Sequence, residues 1–445
     1  MQKRSGAGQR FYEVDLTTFT YGGEVMGRLP DGRAVFVPFA LPGEKVRVRL
    51  VDEKRNYAHA ELVEVLQPAT QRQPPVCVHF GLCGGCHYQH MPYEAQLAAK
   101  TGILRDQLRR IGRLENPPIQ PAVACSHPYR YRNHVQFHLT EAGRLGYYPA
   151  LPGKVFPIQE CHLPEGPLQE IWPQLEFDAL PEIERVGLRM GAGEDIQLTL
   201  ESREPQAPEF AVEDLSISAV HLSADSTVVL AGSQFVVMEV LDRPFRVSAG
   251  SFFQVNTEMA EVMVKHVLER VPNFLNLDRH ITLLDMYCGV GLFSAFLAPH
   301  VGRLIGIEAA PSAADDFSVN LDEFENVEIY EDVAENVLAQ LNVQPDVILV
   351  DPPRSGLEKG VRENITRLKP RLLVYVSCDP ATLSRDARRL VEAGYRLETI
   401  TPFDLFPQTY HIDSISFWVP KIYRQAERQV PGTFAPVMVQ YRICS

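Results

Sequence analysis

The chain has 445 residues, enough for about three domains, and 45% apolar with 22% charged residues is the composition of a chain that buries a core. No run approaches 18 consecutive apolar residues, which excludes a membrane-spanning helix, and Met1–Gly6 leads into no apolar stretch of the secretory kind. Eight cysteines are too few for a disulfide scaffold, so a cytoplasmic protein is expected, with clustered cysteines serving metal binding or catalysis. The net charge of −13 is unevenly spread: residues 1–160 hold 20 Lys and Arg against 14 Asp and Glu, whereas the remainder holds 23 against 42. A mildly basic N-terminal third suits phosphate contact, although the same excess is common on a solvated surface.

Residues 11–67 read as short strands (Phe11–Leu16, Ala34–Val37, Lys45–Val51, Ala58–Val65) separated by turn residues, with a basic glycine-rich loop at Gly27–Arg33. That pattern predicts a small OB-like β-barrel of the kind that takes single-stranded nucleic acid. Gln67–Pro75 is a polar, proline-rich linker. Tyr93–Ile111 has helical spacing, with Ala95, Ala98, Ala99, Ile103, Leu104 and Leu108 on one side and Arg105, Arg109 and Arg110 on the other. From about 120 to 250 the chain reads as a mixed β middle domain. An amphipathic helix at Thr257–Val271 opens a different rhythm, in which the apolar runs Ile281–Asp285, Arg303–Glu308, Val327–Tyr330, Val347–Val350 and Leu372–Val376 alternate with helical stretches. This predicts a doubly wound, largely parallel sheet, whose ligands sit beyond the carboxyl ends of the strands.

Four segments fall at such ends. Leu283–Ser294 (LLDMYCGVGLFS) is a strand, a glycine turn and a helix start, and the next strand closes on Glu308, a carboxylate suited to a ribose diol. Both a nicotinamide cofactor and S-adenosylmethionine fit these features. Val350–Gly356 (VDPPRSG) makes a stiff loop that can hold a flat ring and aim Asp351 at its polar edge. Val376–Pro380 (VSCDP) puts Cys378 just before a helix, where a thiolate is favoured, and so nominates a nucleophile. Phe406–Asp413 (FPQTYHID) brings an imidazole and a carboxylate ahead of the strand Ser414–Val419. Cys125, Cys288 and Cys444 have no such setting.

Cys77, Cys83 and Cys86 stand at ligand spacing on a glycine-rich loop (CVHFGLCGGC), and Cys161 is a fourth candidate. Four thiolates suit zinc or an iron–sulfur cluster, and His79, His87 and His90 leave zinc open on spacing alone.

The ordered set SFFQVN (251–256), DMYCGVG, VDPPRSG, VSCDP and FPQTYHID resembles the RNA uridine C5-methyltransferases over nearly the whole chain. The resemblance implies a multidomain α/β protein: an RNA-binding TRAM barrel at 1–67, a central mixed α+β domain with an iron–sulfur site at 68–250, and a Rossmann-like S-adenosylmethionine-dependent methyltransferase domain at 251–420. Helix 93–111 is expected to pack on the last of these, and 421–445 is an extension without an assigned role. It also implies a [4Fe–4S] cluster on Cys77, Cys83, Cys86 and Cys161, cofactor contacts from Gln254, Tyr287, Glu308 and Asp351, Cys378 as nucleophile and Asp413 as proton acceptor. Two positions depart from the family: Leu292 replaces a frequent Asn, and Asp413 replaces the usual Glu. His411 is expected to orient its loop.

The implied chemistry is addition of Cys378 to C6 of uracil, methylation at C5, and loss of the C5 proton to Asp413, on a base flipped out of structured RNA. The implied partner is 23S rRNA, with tRNA as the alternative, no membrane, and a monomeric protein. A nicotinamide oxidoreductase and a catalytically inactive RNA-binding module are the competing readings.

Overall fold

The computed structural model describes residues 11–421 apart from 178, 179, 181 and 209–216; Cys444 and all of the 421–445 extension beyond Lys421 lie outside the described residues. Strands β1 (Phe11–Phe19), β2 (Glu24–Arg28), β3 (Ala34–Pro38), β4 (Lys45–Glu53) and β5 (Tyr57–Gln67) close into a barrel in the order β1-β2-β3-β5-β4. Alternate residues Val14, Leu16, Val25, Val35, Val37, Val46 and Val48 fill it. In the basic loop Arg28 is exposed and its side chain donates to the Gly32 carbonyl, whereas Arg33 is paired. Arg33 pairs with Asp31 at 2.7 Å and Glu53 at 3.1 Å, and Lys45, Arg47 and Arg49 pair with Glu13, Glu64 and Glu61. Much of the barrel's positive charge is thus spent within the barrel itself.

Helix α1 (Tyr93–Arg110) buries Gln96, Lys100, Ile103, Leu104 and Leu108, so its inward stripe is rotated from the alanine-rich face and carries two polar side chains. The central domain is a seven-stranded sheet of β6 (His134–Leu139), β7 (Leu145–Tyr147), β8 (Phe156–Pro157), β9 (Ile183–Met190), β10 (Ile196–Ser202), β11 (Ile217–Leu222) and β12 (Thr227–Ala231), with helix α2 (Gly166–Ile171) against it. A hairpin, β13 (Phe235–Val240) and β14 (Arg243–Ser248), leads to α3 (Thr257–Arg270), whose N-cap Asn256 accepts from the Met259 amide.

The C-terminal sheet has the order β17-β16-β15-β18-β19-β21-β20, built from β15 (Thr282–Met286), β16 (Arg303–Glu308), β17 (Val327–Glu331), β18 (Val347–Val350), β19 (Leu372–Ser377), β20 (Tyr395–Phe403) and β21 (Asp413–Pro420). The first five strands are parallel, and β21 runs antiparallel to β19 and β20. Helices α4 (Leu292–Leu297), α5 (Pro311–Asn320), α6 (Ala334–Gln340), α7 (Lys359–Leu368) and α8 (Pro380–Glu392) connect them. All four residues of β18 and all six of β19 are buried, as strands covered on both faces must be. Strand order reverses between β15 and β18, the crevice where sheets of this kind bind ligands.

Candidate active site

The turn after β15 is forced by its glycines. Gly291 sits at φ +92, and a Cβ there would come within 2.4 Å of Leu321 Cδ1, so only glycine lets α4 start this close to α5. Gly289, at φ +54, has open space where a Cβ would lie. Its amide donates to Glu308 Oε2 at 2.9 Å, and the Ala309 and Ala310 amides donate to Oε1. Three backbone donors therefore hold the Glu308 carboxylate at the end of β16, with lone pairs to spare for a diol. Tyr287, at φ +62, follows β15 directly and lines a cavity of about 120 Å³ with Ala309, Asp332, Glu335 and Pro353. Asp332 and Glu335 escaped the sequence reading because they follow β17 in no pattern that marks them.

Asp351 leaves β18 with its amide on the Met286 carbonyl, which brings it beside the same turn. Gln254 lies on the loop before α3; its carbonyl accepts from Asn133, and nearby Ser248 and Ser251 are tied to buried Asp316 on α5. Asp285, also missed, is fully buried under the turn: Oδ2 accepts from Ser294 at 2.6 Å, and Oδ1 has no partner. Burial pushes Asp285 and Asp351 each up to about 7.

Cys378 and Asp413 stand at the carboxyl end of β19 and the start of its antiparallel neighbour β21. The helix-terminus argument for a resting thiolate fails here. Burial pushes the Cys378 thiol up to about 12, with Asp413 and Asp351 adding to the rise and Arg354 opposing it. Burial likewise pushes Asp413 up to about 8, against the lowering effect of Lys100. Its Oδ2 is buried with no protein hydrogen bond to satisfy it. The resting site thus holds a thiol and carboxyls poised near neutrality, and an arriving positive charge would drive both toward their anions.

The loop between β20 and β21 is bolted from outside the sheet. The amides of His87 and Tyr88 both donate to the Gln408 carbonyl, at 2.7 and 3.0 Å. Gln96 and Gln408 exchange two hydrogen bonds, and Gln408 is held at φ +68. Lys100 donates to Asp404 Oδ1 and to the Phe406 carbonyl, and Tyr131 to that of Pro407. His411 sits 3.4 Å from Arg354, and burial holds its imidazole down to about 3, hence neutral.

Cys77, Cys83, Cys86 and Cys161 line one cavity of about 300 Å³, all as free thiols. Burial raises each of them. Among the described residues no three His, Cys, Asp or Glu groups converge closely enough for a single metal ion, which demands sulfurs about 2.3 Å from one centre. Arg132 lines the same cavity, its buried Nε without a partner. Four thiols and a buried cation on one cavity are the kind of donor set that an anionic iron–sulfur cluster takes.

Residues 209–420 match the family model described as tRNA (uracil-5-)-methyltransferase, and residues 9–63 match the TRAM domain. An uncharacterized RNA methyltransferase of Halalkalibacterium halodurans is 32% identical, over 91% of this chain and 96% of its own. Another, from Nostoc sp., is 34% identical over 92% and 96%. The chain belongs to the RNA (uracil-C5)-methyltransferase family. It is an S-adenosylmethionine-dependent enzyme acting on RNA. Its fold is shared with the Pyrococcus abyssi tRNA (uracil-54, C5)-methyltransferase, solved in complex with S-adenosyl-L-homocysteine, at TM-score 0.68 and 23% identity over 91% of this chain and 99% of that one. No described helix of this methyltransferase is long and apolar enough to cross a membrane.

Proposed function

We propose that this methyltransferase modifies C5 of a uridine in structured RNA through a covalent adduct on Cys378, with Asp413 as the proton acceptor. The supporting observation is the pairing of β19 with β21, which sets Cys378 and the buried Asp413 carboxyl, its Oδ2 without a partner, at one end of the sheet, beside Asp351. S-adenosylmethionine, held by Gln254, Tyr287, Glu308 and Asp351, supplies an electrophilic methyl group and a positive charge. Cys378 gives its proton up to solvent as that charge lowers its pKa, and the sulfur forms a bond to C6 of the uracil while the C5–C6 π electrons move toward C5 and O4 as an enolate. C5 takes the methyl as its bond to the sulfonium sulfur breaks, and S-adenosyl-L-homocysteine is the leaving group. Asp413 then removes the C5 proton, and the electron pair left behind expels the Cys378 thiolate. A carboxylate raised to about 8 is a stronger base than an ordinary one and still ionises near neutral pH.

Cys77, Cys83, Cys86 and Cys161 are proposed to hold a [4Fe–4S] cluster, which anchors the cysteine loop whose next residues grip Gln408. The target is read as 23S rRNA, as the family resemblance implies for a bacterial-type chain carrying both the barrel and the cysteine set. Cluster-bearing archaeal tRNA enzymes share that pairing, and the fold extends over 99% of a tRNA (uracil-54, C5)-methyltransferase. A tRNA target is the second reading, favoured by the description of the matching family model. Mass spectrometry of both RNA classes from a deletion strain tests these assignments: loss of one 5-methyluridine from rRNA supports the first, loss from tRNA the second, and an unchanged 5-methyluridine complement contradicts both.

A further inference from the structure

Tyr21 lies in the turn between β1 and β2, and its side chain reaches out of the barrel. Its hydroxyl donates to Asp379 Oδ2 at 2.7 Å. Asp379 is the residue after Cys378. Its other oxygen, Oδ1, accepts from the Ala381 and Thr382 amides and so caps α8. The Ser377 hydroxyl closes the turn from the other side, accepting from the Asp379 amide at 3.2 Å and donating to its carbonyl at 3.0 Å. The residues on both sides of Cys378 are therefore tied into one small cage. One corner of the cage is a residue of the barrel.

The same tyrosine reaches the opposite wall. Its ring lies edge-on to Tyr410, at 5.8 Å and 84°. Tyr410 in turn packs on His411 at 4.5 Å and on His87 at 4.6 Å. Tyr21 thus touches both the turn that carries the candidate nucleophile and the loop that leads to Asp413.

We propose that Tyr21 is a positioning residue for the methyl-transfer reaction, through which the barrel sets the orientation of Cys378 and is a wall of the active site, over and above any grip on RNA. This rests on the covalent reading of Cys378. A hydrogen bond from a barrel hydroxyl fixes the carboxylate that caps α8, and the cap fixes the cysteine turn. Losing it lets Asp379 rotate away from its cap and widens the range of directions from which the sulfur approaches C6, a cost felt in the chemical step.

The test uses the full-length protein carrying Tyr21→Phe, which removes the hydroxyl and keeps the ring against Tyr410. The proposal expects kcat to fall about tenfold, the effect of losing one hydrogen bond to a charged group that counts in the transition state, with KM for RNA and the affinity for S-adenosylmethionine within about twofold of the parent. It also expects a changed rate of Cys378 alkylation by iodoacetamide, read by peptide mass spectrometry, and no further loss when Asp379→Asn is added. Unchanged kcat, or a raised KM for RNA at unchanged kcat, would overturn it, the latter placing Tyr21 in RNA binding alone. Cys378→Ala is measured alongside: if it turns over, the covalent reading falls and the proposal with it, whereas an inactive Cys378→Ala beside an unaffected Tyr21→Phe removes the proposal and leaves the covalent reading standing.

Discussion

Lys100 Nζ lies 2.5 Å from Asp404 Oδ1, with the two side chains 3% and 2% exposed. A helix near the start of the chain thereby fixes the loop that ends at Asp413. The desolvation cost of such a pair is large, and the second bond from Lys100 to the Phe406 carbonyl helps to offset it. Lys100→Met strands the Asp404 carboxylate and is expected to lower stability by about 3–5 kcal/mol. Adding Asp404→Leu should restore most of that loss. Urea denaturation of Lys100→Met, Asp404→Leu and the double variant checks the cycle.

The same charges tune the proposed base. Lys100 and Arg354 lower the Asp413 pKa, whereas burial, Asp351 and Asp404 raise it, to about 8. A base works deprotonated, so kcat/KM is expected to carry one limb that rises with pH through about 8, below the rise set by the Cys378 thiol. Asp404→Asn should move that limb to lower pH and Lys100→Met to higher. Stability runs the opposite way. The folded pKa lies above the ordinary value of 3.8, so the contribution of protonated Asp413 is full below about 4 and is lost as pH rises through about 8. Asp413→Asn should therefore melt higher than the parent at pH 9 and similarly to it at pH 4. Identical pH profiles in all variants would contradict the assignment.

How legible this was in the sequence depends on how local each cause is. The parallel strands announced themselves because burial on both faces leaves uninterrupted apolar runs such as Val347–Val350. Glu24–Arg28 did not: Gly27 looked like a turn residue, but a Cβ there would meet Val14 Cγ1 at 2.4 Å, so the glycine serves close strand packing. The polar edge of α1 misled for a related reason. Gln96 and Lys100 are buried against partners about 300 positions away, and no periodicity encodes them. The acidity of Cys378 was misjudged because a helix terminus is visible in sequence, whereas the depth of burial and the carboxyls of Asp413 and Asp351 are not.

The cysteine cavity makes a compositional prediction. Protein purified without oxygen should be brown and contain about four irons per chain, and Cys83→Ser should lose them. Because His87 and Tyr88, next to Cys86, grip Gln408, loss of metal should also expose the 404–413 loop to proteolysis or amide exchange. A colourless protein with one tightly bound zinc would contradict the cluster.

Gly291→Ala tests the cofactor turn. The new Cβ meets Leu321 Cδ1 at 2.4 Å in a left-handed backbone conformation. Strain and overpacking together should cost about 2–4 kcal/mol. Thermal melting should fall accordingly, and calorimetry should show weakened S-adenosylmethionine binding. An unchanged melting temperature would mean that α4 and α5 yield more easily than their packing suggests.

The central claim is that Cys378 attacks and Asp413 finishes the reaction, although Asp is one methylene shorter than the usual Glu. Loss of the base should stop the reaction after methyl transfer, with the C6–sulfur bond still in place. Asp413→Asn, incubated with its RNA and S-adenosylmethionine, is therefore expected to accumulate a denaturant-resistant protein–RNA complex carrying the transferred methyl, visible as a shifted band in a denaturing gel. Cys378→Ala should give neither complex nor product. Normal turnover by Asp413→Asn with no trapped complex would remove Asp413 from the mechanism, and a trapped complex formed by Cys378→Ala would contradict the account at its root.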